Sequence, residues 1–558
     1  MSKNSNSRDN NKAIAIIVGI STPSEVTLIV DPKIARTTPL ELGELVVIDY
    51  PKNLVQKPVI AMISKIALSN ENLVESLIKS PESIDRLKLL GHIEEGERLG
   101  AAARILGYLD EERDHIVTPR FPPYPGAKVS RAPSELLSKI FGKGHISVGE
   151  LRSHKGVEVK LNVDELVSKH FAVLAITGAG KSYSIAVIVS RIINNLQGSV
   201  VIVDPHEDYV PFIKNKNING NITVFSAKRT TGRQRIAFKL SNFGHNALLE
   251  LLEIPEQATI QRDLLSRAYW RLQEKKVDWD LQDLKNEINA IIKDLREDIV
   301  IDDKGKEQIR KSSKAEANRL ENSKFGLFSR IDLAPARDVL TKSSELPVYN
   351  ANAPSLVKPN QISIITLTGL GSKTQQTIVD LIARKIFNAG KAQVRNELTP
   401  HKLPCAVLMV IEEAHNFIPG SGRSSSILKQ IAAEGRKFGV GLGLVSQRPG
   451  RLDSDVLSQC NTQIILKIVN PYDQQQILRS SESLSEDLLN DLPALNVGEA
   501  VIVGPSLPIP ALVSIATFDG KLGGKGVQIT ESWKAALEKQ KSSIRKPQKY
   551  EDDFKLDK

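Results

Sequence analysis

The run FAVLAITGAGKSYSIAVIVSRI, residues 171–192, decides how the rest of the chain is read. Six apolar residues ending at Ile176 predict a buried strand, a glycine-bearing turn follows, and Lys181 and Ser182 open an amphipathic helix. Such a strand–turn–helix aims backbone N–H groups and a helix N-terminus at one spot, where a polyphosphate binds. Thr177, Gly178, Ala179, Gly180, Lys181, Ser182 and Tyr183 are therefore the candidate nucleotide-binding segment. Lys181 would reach the β and γ phosphates of ATP, and Ser182 would ligate Mg²⁺. Ala175 stands where the full phosphate-loop pattern has its first glycine. That glycine mainly eases the turn out of the strand, so the phosphate-contacting part is kept.

Further apolar runs surround this one: SVVIV (199–203), ITVF (222–225), ISIITL (362–367), CAVLMVI (405–411), VGLGLVS (440–446) and IILKIV (464–469). Near-continuous apolar strands alternating with helical stretches predict an α/β domain with a mainly parallel sheet covered on both faces. Ligands of such sheets sit at the carboxyl ends of the strands, so the polar residues there are the candidates. Glu412 and Glu413 follow Ile411; Glu412 is assigned to the magnesium shell and Glu413 to polarising the attacking water. Asp204, or Glu207, would help orient metal or water, whereas His206 reads as structural. Gln447 ends another strand, where a polar side chain senses the γ-phosphate. A helix over LKQIAAEGRKFG (428–439) is expected to carry Arg436, the candidate arginine finger, with Arg448 and Arg451 as alternatives.

Outward from the core, residues 13–145 read as a small β domain. AIAIIVG, EVTLIV, ELVVID and PVIAMIS are separated by turn chemistry, which predicts a barrel or sandwich. A helix is expected over 70–92 and more strands near 100–110 and 114–119. Five prolines between Pro119 and Pro133 mark an extended connector. The ATPase core is assigned to 146–254 and 346–517. Residues 255–345, rich in Leu, Lys, Glu and Arg at helical spacing, are assigned to an inserted helical subdomain, with 301–314 as its most mobile part. Residues 1–12 are a polar tail, and 518–558 a second tail with a helix near 530–542.

The chain has 558 residues, enough for three or four domains. With 41% hydrophobic and 25% charged residues it is ordinary globular material, not collagen, coiled coil or a disordered chain. No apolar run approaches the ~18 residues of a membrane span, and MSKNSNSRDNNK lacks the apolar centre of a signal peptide. Cys405 and Cys460, the two cysteines, lie in apolar stretches, which favours a reduced, cytoplasmic protein. The net charge is +10, and two stretches account for it: residues 211–240 carry +7 and 419–451 carry +5. The loops KRTTGRQR (228–235) and PGSGRSSS (419–426) are the candidate contacts to double-stranded DNA, through Lys228, Arg229, Arg233, Arg235 and Arg423. Phosphate contacts of this kind bind without reading sequence.

TGAGKS, VIVDPHEDY, VIEEAHNF, EGRKFGVGLGLVSQRP and GEAVIVGPSLPIPALV together resemble the HerA group of archaeal DNA-translocating ATPases, relatives of FtsK. The resemblance covers most of residues 13–517, and the N-terminal strands look like that family's HAS barrel. It implies a RecA-like core, a homo-hexameric ring, ATP hydrolysis with Mg²⁺, and duplex DNA threaded through the pore. It also implies work with a NurA-like nuclease, and candidate contacts with other break-repair proteins, in processing DNA ends. Two other functions fit the same residues: a ring motor moving a different substrate, like the VirB4 secretion ATPases, and a scaffold that only orders around bound nucleotide.

Overall fold

Burial alternates strictly along Glu25–Val30, the mark of a strand with one face in a core and the other in water. We describe the protein from a computed structural model that covers residues 12–52, 55–70, 97–301, 307–397, 402–420, 426–523 and 529–544. The N-terminal strands are β1 (Ala15–Val18), β2 (Glu25–Val30), β3 (Leu45–Ile48), β4 (Val59–Asn70), β5 (Glu97–Asp110), β6 (His115–Val117) and β7 (Lys128–Arg131). They pair in the order β2-β1-β7-β3-β4-β5-β6, and β2 also pairs with β5, closing a six-stranded barrel with β6 on its margin. Ile17, Leu28, Ile48, Val59, Ala103 and Val129 fill the interior. The helix expected over 70–92 falls almost wholly outside the described residues.

The helix Ser134–Phe141 leads from the barrel into the second core, burying Leu137, Ile140 and Phe141. There the strands are β8 (Ile146–Leu151), β9 (Glu158–Leu161), β10 (Phe171–Leu174), β11 (Ser199–Asp204), β12 (Asn221–Ser226), β13 (Gln234–Arg235), β14 (Phe238–Lys239), β15 (Ile299–Ile301), β16 (Glu307–Ile309), β17 (Leu340–Thr341), β18 (Gln361–Thr366), β19 (Val407–Ile411), β20 (Val440–Ser446), β21 (Thr462–Ile465), β22 (Glu499–Val503) and β23 (Ala511–Ile515). Twelve form one sheet in the order β13-β12-β18-β11-β19-β20-β10-β21-β22-β23-β8-β9. It is parallel from β13 to β21 and antiparallel beyond. Each of the seven apolar runs contributes to a strand of its parallel part, although β21 ends at Ile465 while the run read as a strand continues to Val469. Strand β10 lies between β20 and β21, which places β11 three positions from it rather than beside it. Gly443 in β20 permits the close packing here: a Cβ would lie 2.5 Å from the Phe171 ring.

Between β14 and β17, which pair with each other, stand the helices Thr259–Glu274, Leu281–Arg296 and Lys311–Asp332. The second starts at a capping box formed by Asp280 and Asp283, a device worth about 1 kcal/mol. Its Leu284, Ile288, Ile291 and Ile292 share a buried stripe. The segment 301–314, expected to be the subdomain's most mobile part, is ordered at both ends of its described residues. Strands β15 and β16 pair antiparallel, the third helix has begun by Lys311, and Ser313 Oγ donates to Asp298 at 2.6 Å. Residues 302–306 are not among those described.

Candidate nucleotide site

The segment 177–183 emerges from β10 at the carboxyl edge of the sheet. Gly178 and Gly180 have φ of 83° and 105°, and the space above Gly178 is open. A side chain would strain both positions, so glycine is what lets the turn expose its N–H groups ahead of the helix Lys181–Leu196. Lys181, buried at 8% exposure, donates to Glu413 Oε1 at 2.8 Å and lies 3.2 Å from Glu412 Oε2. Burial alone would depress its pKa, but the two carboxylates outweigh it and the pKa is raised, holding the ammonium charged.

Glu412 and Glu413 follow directly on β19. Burial pushes Glu412 upward in pKa against the pull of Lys181 and of the Tyr209 hydroxyl, which donates to it. Glu413 sits at φ 49°, ψ 46°, a left-handed conformation that a non-glycine residue keeps only where its surroundings hold it. Its Oε1 takes bonds from Lys181 and from Gln447 Nε2 at 2.5 Å. Its Oε2 is buried without a hydrogen-bond partner among the described residues, and His415 Nδ1 stands 3.4 Å away. Burial first, then Arg448, Lys181 and Arg451, lower the His415 pKa against Glu413 and keep the ring neutral. Gln447 also accepts from Thr177 Oγ1 at 2.5 Å, tying the phosphate loop to the acidic strand end.

Asp204, at 0% exposure, accepts the N–H groups of His206, Asp208 and Tyr209 at 3.3, 3.0 and 2.9 Å, and burial pushes its pKa up to about 7. It therefore shapes the turn after β11. From this turn it is Asp208 that meets the phosphate loop, accepting from Ser182 Oγ at 3.3 Å. Sequence reading passes over Asp208 and Tyr209, although both stand in the quoted PHEDY stretch. Ser182 and Asp208, with Glu412 behind them, are the hard oxygen donors that Mg²⁺ takes, so the residues fit that ion.

The other candidates lie apart. Arg436 is not on a helix: the helix Ser426–Glu434 ends before it, and a 3₁₀ turn, Gly435–Phe438, carries it. A Cβ on Gly435 would lie 2.3 Å from the Val440 carbonyl, so only glycine fits at the start of this turn. Arg436 and Lys437 are exposed beside a cavity of about 710 Å³, with Ser168, Lys169 and Asn461. These residues precede β20, β10 and β21, so Arg436 stands at the amino edge of the sheet, opposite its own phosphate loop. Arg448 and Arg451 follow β20 at the carboxyl edge.

Of the basic loop, Lys228, Arg229 and Arg235 are exposed. Lys228 donates to the Gly369 carbonyl at 2.9 Å and Arg235 to that of Asp338 at 3.1 Å. Arg233 is not free for DNA: it grips Glu207 through two bonds of 2.5 and 3.0 Å. Part of the loop is held in the sheet, since β13 pairs parallel with β12. Arg423 lies outside the described residues. Both cysteines are free, and no described helix is long and apolar enough to cross a membrane.

Residues 146–386 match the family model for the central domain of the helicase HerA. The DNA double-strand break repair helicase HerA of Sulfurisphaera tokodaii is 34% identical over 94% of this chain and 97% of its own. That of Pyrococcus furiosus is 33% identical over 79% and 83%. Among solved structures, VirB4 of Thermoanaerobacter pseudethanolicus aligns over 68% of this chain and 98% of its own, at 14% identity and a TM-score of 0.45. With a phosphate loop, paired strand-end carboxylates and relatives matched over nearly their whole length, the chain belongs to the HerA family of ATP-driven helicases.

Proposed function

We propose that the protein is a ring-forming motor that hydrolyses ATP to move along double-stranded DNA. It would act in the cytoplasm on DNA ends, as a homo-hexamer beside a NurA-like nuclease. The observation that carries the reading is the network from Lys181 through Glu413 and Gln447 to Thr177, with one buried Glu413 oxygen left open. In it Lys181 neutralises two carboxylates; a triphosphate in the loop competes for that ammonium. Once Lys181 turns to the phosphates, Glu413 loses its cation and becomes the base that takes a proton from the attacking water at Oε2. Gln447, bonded to both Thr177 and Glu413, registers whether the γ-phosphate is present. Ser182, with Asp208 and Glu412, would hold Mg²⁺, which would supply positive charge at the phosphate oxygens.

The chain's Arg436, at the far edge of the sheet, would complete the site of a neighbour in the ring. Lys228, Arg229 and Arg235 supply sequence-independent contacts to DNA phosphates. The deciding experiment is the ATPase rate with and without linear duplex, for wild type and Glu413→Gln. Duplex is expected to stimulate the wild type, and the variant is expected to bind ATP without turning it over. A wild-type rate indifferent to DNA would favour a motor for another substrate.

A further inference from the structure

The helix after the phosphate loop is buried almost all round. Lys181 is buried, Ser182 is half-buried, and every residue from Ser184 to Ser190 is buried. Tyr183 alone in this stretch is exposed, at 47%. A large ring left in water on an otherwise buried helix calls for a reason, since aromatic surface gains free energy from cover. Its position supplies one. The N–H groups of the helix's first turn end the phosphate cradle, so a nucleotide bound there would leave the loop beside Tyr183, with its base outermost.

The ring is also held. Phe518, from the segment following β23, meets Tyr183 edge-on, with centroids 6.4 Å apart and planes at 82°. This packing leaves at least one face of Tyr183 open. Phe518 is only 9% exposed. It packs against Phe212 at 5.2 Å, and Phe212 against Tyr209 at 5.5 Å, whose hydroxyl binds Glu412. Backbone and side-chain bonds pin the segment across the core: the Gly523 N–H donates to Asp208 O at 2.8 Å, and Asn215 Nδ2 to Asp519 O at 2.9 Å. The residues assigned from sequence to a tail beginning at 518 are thus, up to 523, a strap over the nucleotide helix.

We propose that Tyr183 is the stacking platform for the nucleobase and that Phe518 is a positioning residue that fixes the tyrosine ring. The proposal rests on the reading of 177–183 as the nucleotide loop and adds the base to it.

The test compares binding of a non-hydrolysable ATP analogue with binding of inorganic tripolyphosphate, which has no base, by calorimetry on the full chain. Removing base–aromatic stacking by alanine substitution corresponds to about 5- to 150-fold in affinity. Tyr183→Ala is expected to weaken the ATP analogue by that much and to leave tripolyphosphate unchanged, while Tyr183→Phe binds both like wild type. Phe518→Ala should lower the ATP analogue selectively but by less, and Phe518→Leu, which keeps apolar bulk, should fold and show the same selectivity. Equal losses for the two ligands, or none for either, in the Tyr183→Ala protein would overturn the proposal. Lys181→Ala is the control for the underlying reading and should weaken both ligands; if it changes neither, it is the phosphate site that has failed.

Discussion

The two edges of the large sheet treat charge in opposite ways. At the carboxyl edge Lys181, Glu412, Glu413 and Asp204 are all buried and bonded to one another or to the backbone. At the amino edge Arg436 and Lys437 are exposed beside an open cavity and form no ion pair with a described residue. Buried charges survive only when paired, so the first edge is a finished network waiting for a ligand to break it. At the second edge Arg436 and Lys437 stay in water beside a cavity that Glu482 also lines. On the proposed reading the two edges are the two halves of a phosphoryl-transfer site, facing away from each other in one chain, and a ring would bring them together.

The contrast is broken most severely by removing a residue from either edge. Arg436→Ala is expected to lower ATP turnover by about 10³-fold or more while ATP binding persists, the scale of a missing arginine finger. A steady-state rate near wild type would confine the chemistry to the carboxyl edge, with Arg448 and Arg451 next to be tested. Glu413→Gln should cost about 10²- to 10⁴-fold in turnover and keep affinity, because the amide holds the shape but takes no proton. Lys181→Ala should lose affinity as well; if the two variants behave alike in binding assays, the separate roles given to them are wrong.

A smaller effect is expected in the basic loop. Replacing Lys228, Arg229 and Arg235 with alanine should lower DNA affinity for all sequences alike. The slope of log K against log salt should become shallower by about 0.9 for each DNA phosphate that the variant no longer neutralises. Arg233→Ala should instead disturb the Glu207 pair, and a slope change from it equal to the others would put Arg233 on DNA after all.

The least effect concerns Asp204. Its pKa, about 7 in the fold, lies above the ordinary carboxyl value, so the folded state binds the proton more tightly than the unfolded chain. The stability this gives is complete below about pH 4 and is lost as pH rises through 7. It is on the order of 4 kcal/mol. The melting temperature of wild type relative to Asp204→Asn should therefore fall between about pH 4 and pH 8. A constant difference would show that the three N–H donors hold Asp204 ionised throughout.

The carboxyl edge is legible in the sequence because its signals are local. An apolar run ends, and the next residue is Glu412, Gln447 or the phosphate loop. What sequence reading misses depends on distant contacts. Asp208 meets Ser182 and Glu207 captures Arg233 across 26 positions each, and no periodicity reports such a pairing. The same holds for β8 and β9, which precede the phosphate loop yet extend the sheet beyond β23. The strap over Tyr183 reads as a tail because FDGKLGGKG (518–526) is polar and glycine-rich, and Phe518 alone hints at an anchor. The motif around Arg436 marks the residue, but helical spacing carries the helix too far, through a glycine whose Cα faces a carbonyl.

The claim that the two edges meet between subunits has a direct test in mixed rings. Arg436→Ala and Glu413→Gln proteins, each inactive alone, are mixed under conditions of proven subunit exchange, and ATP hydrolysis is measured. Where the intact Glu413 of one chain faces the intact Arg436 of the next, a whole site is restored, and partial recovery of ATPase is the expected result. Mixtures that exchange subunits yet remain as inactive as their components would contradict it.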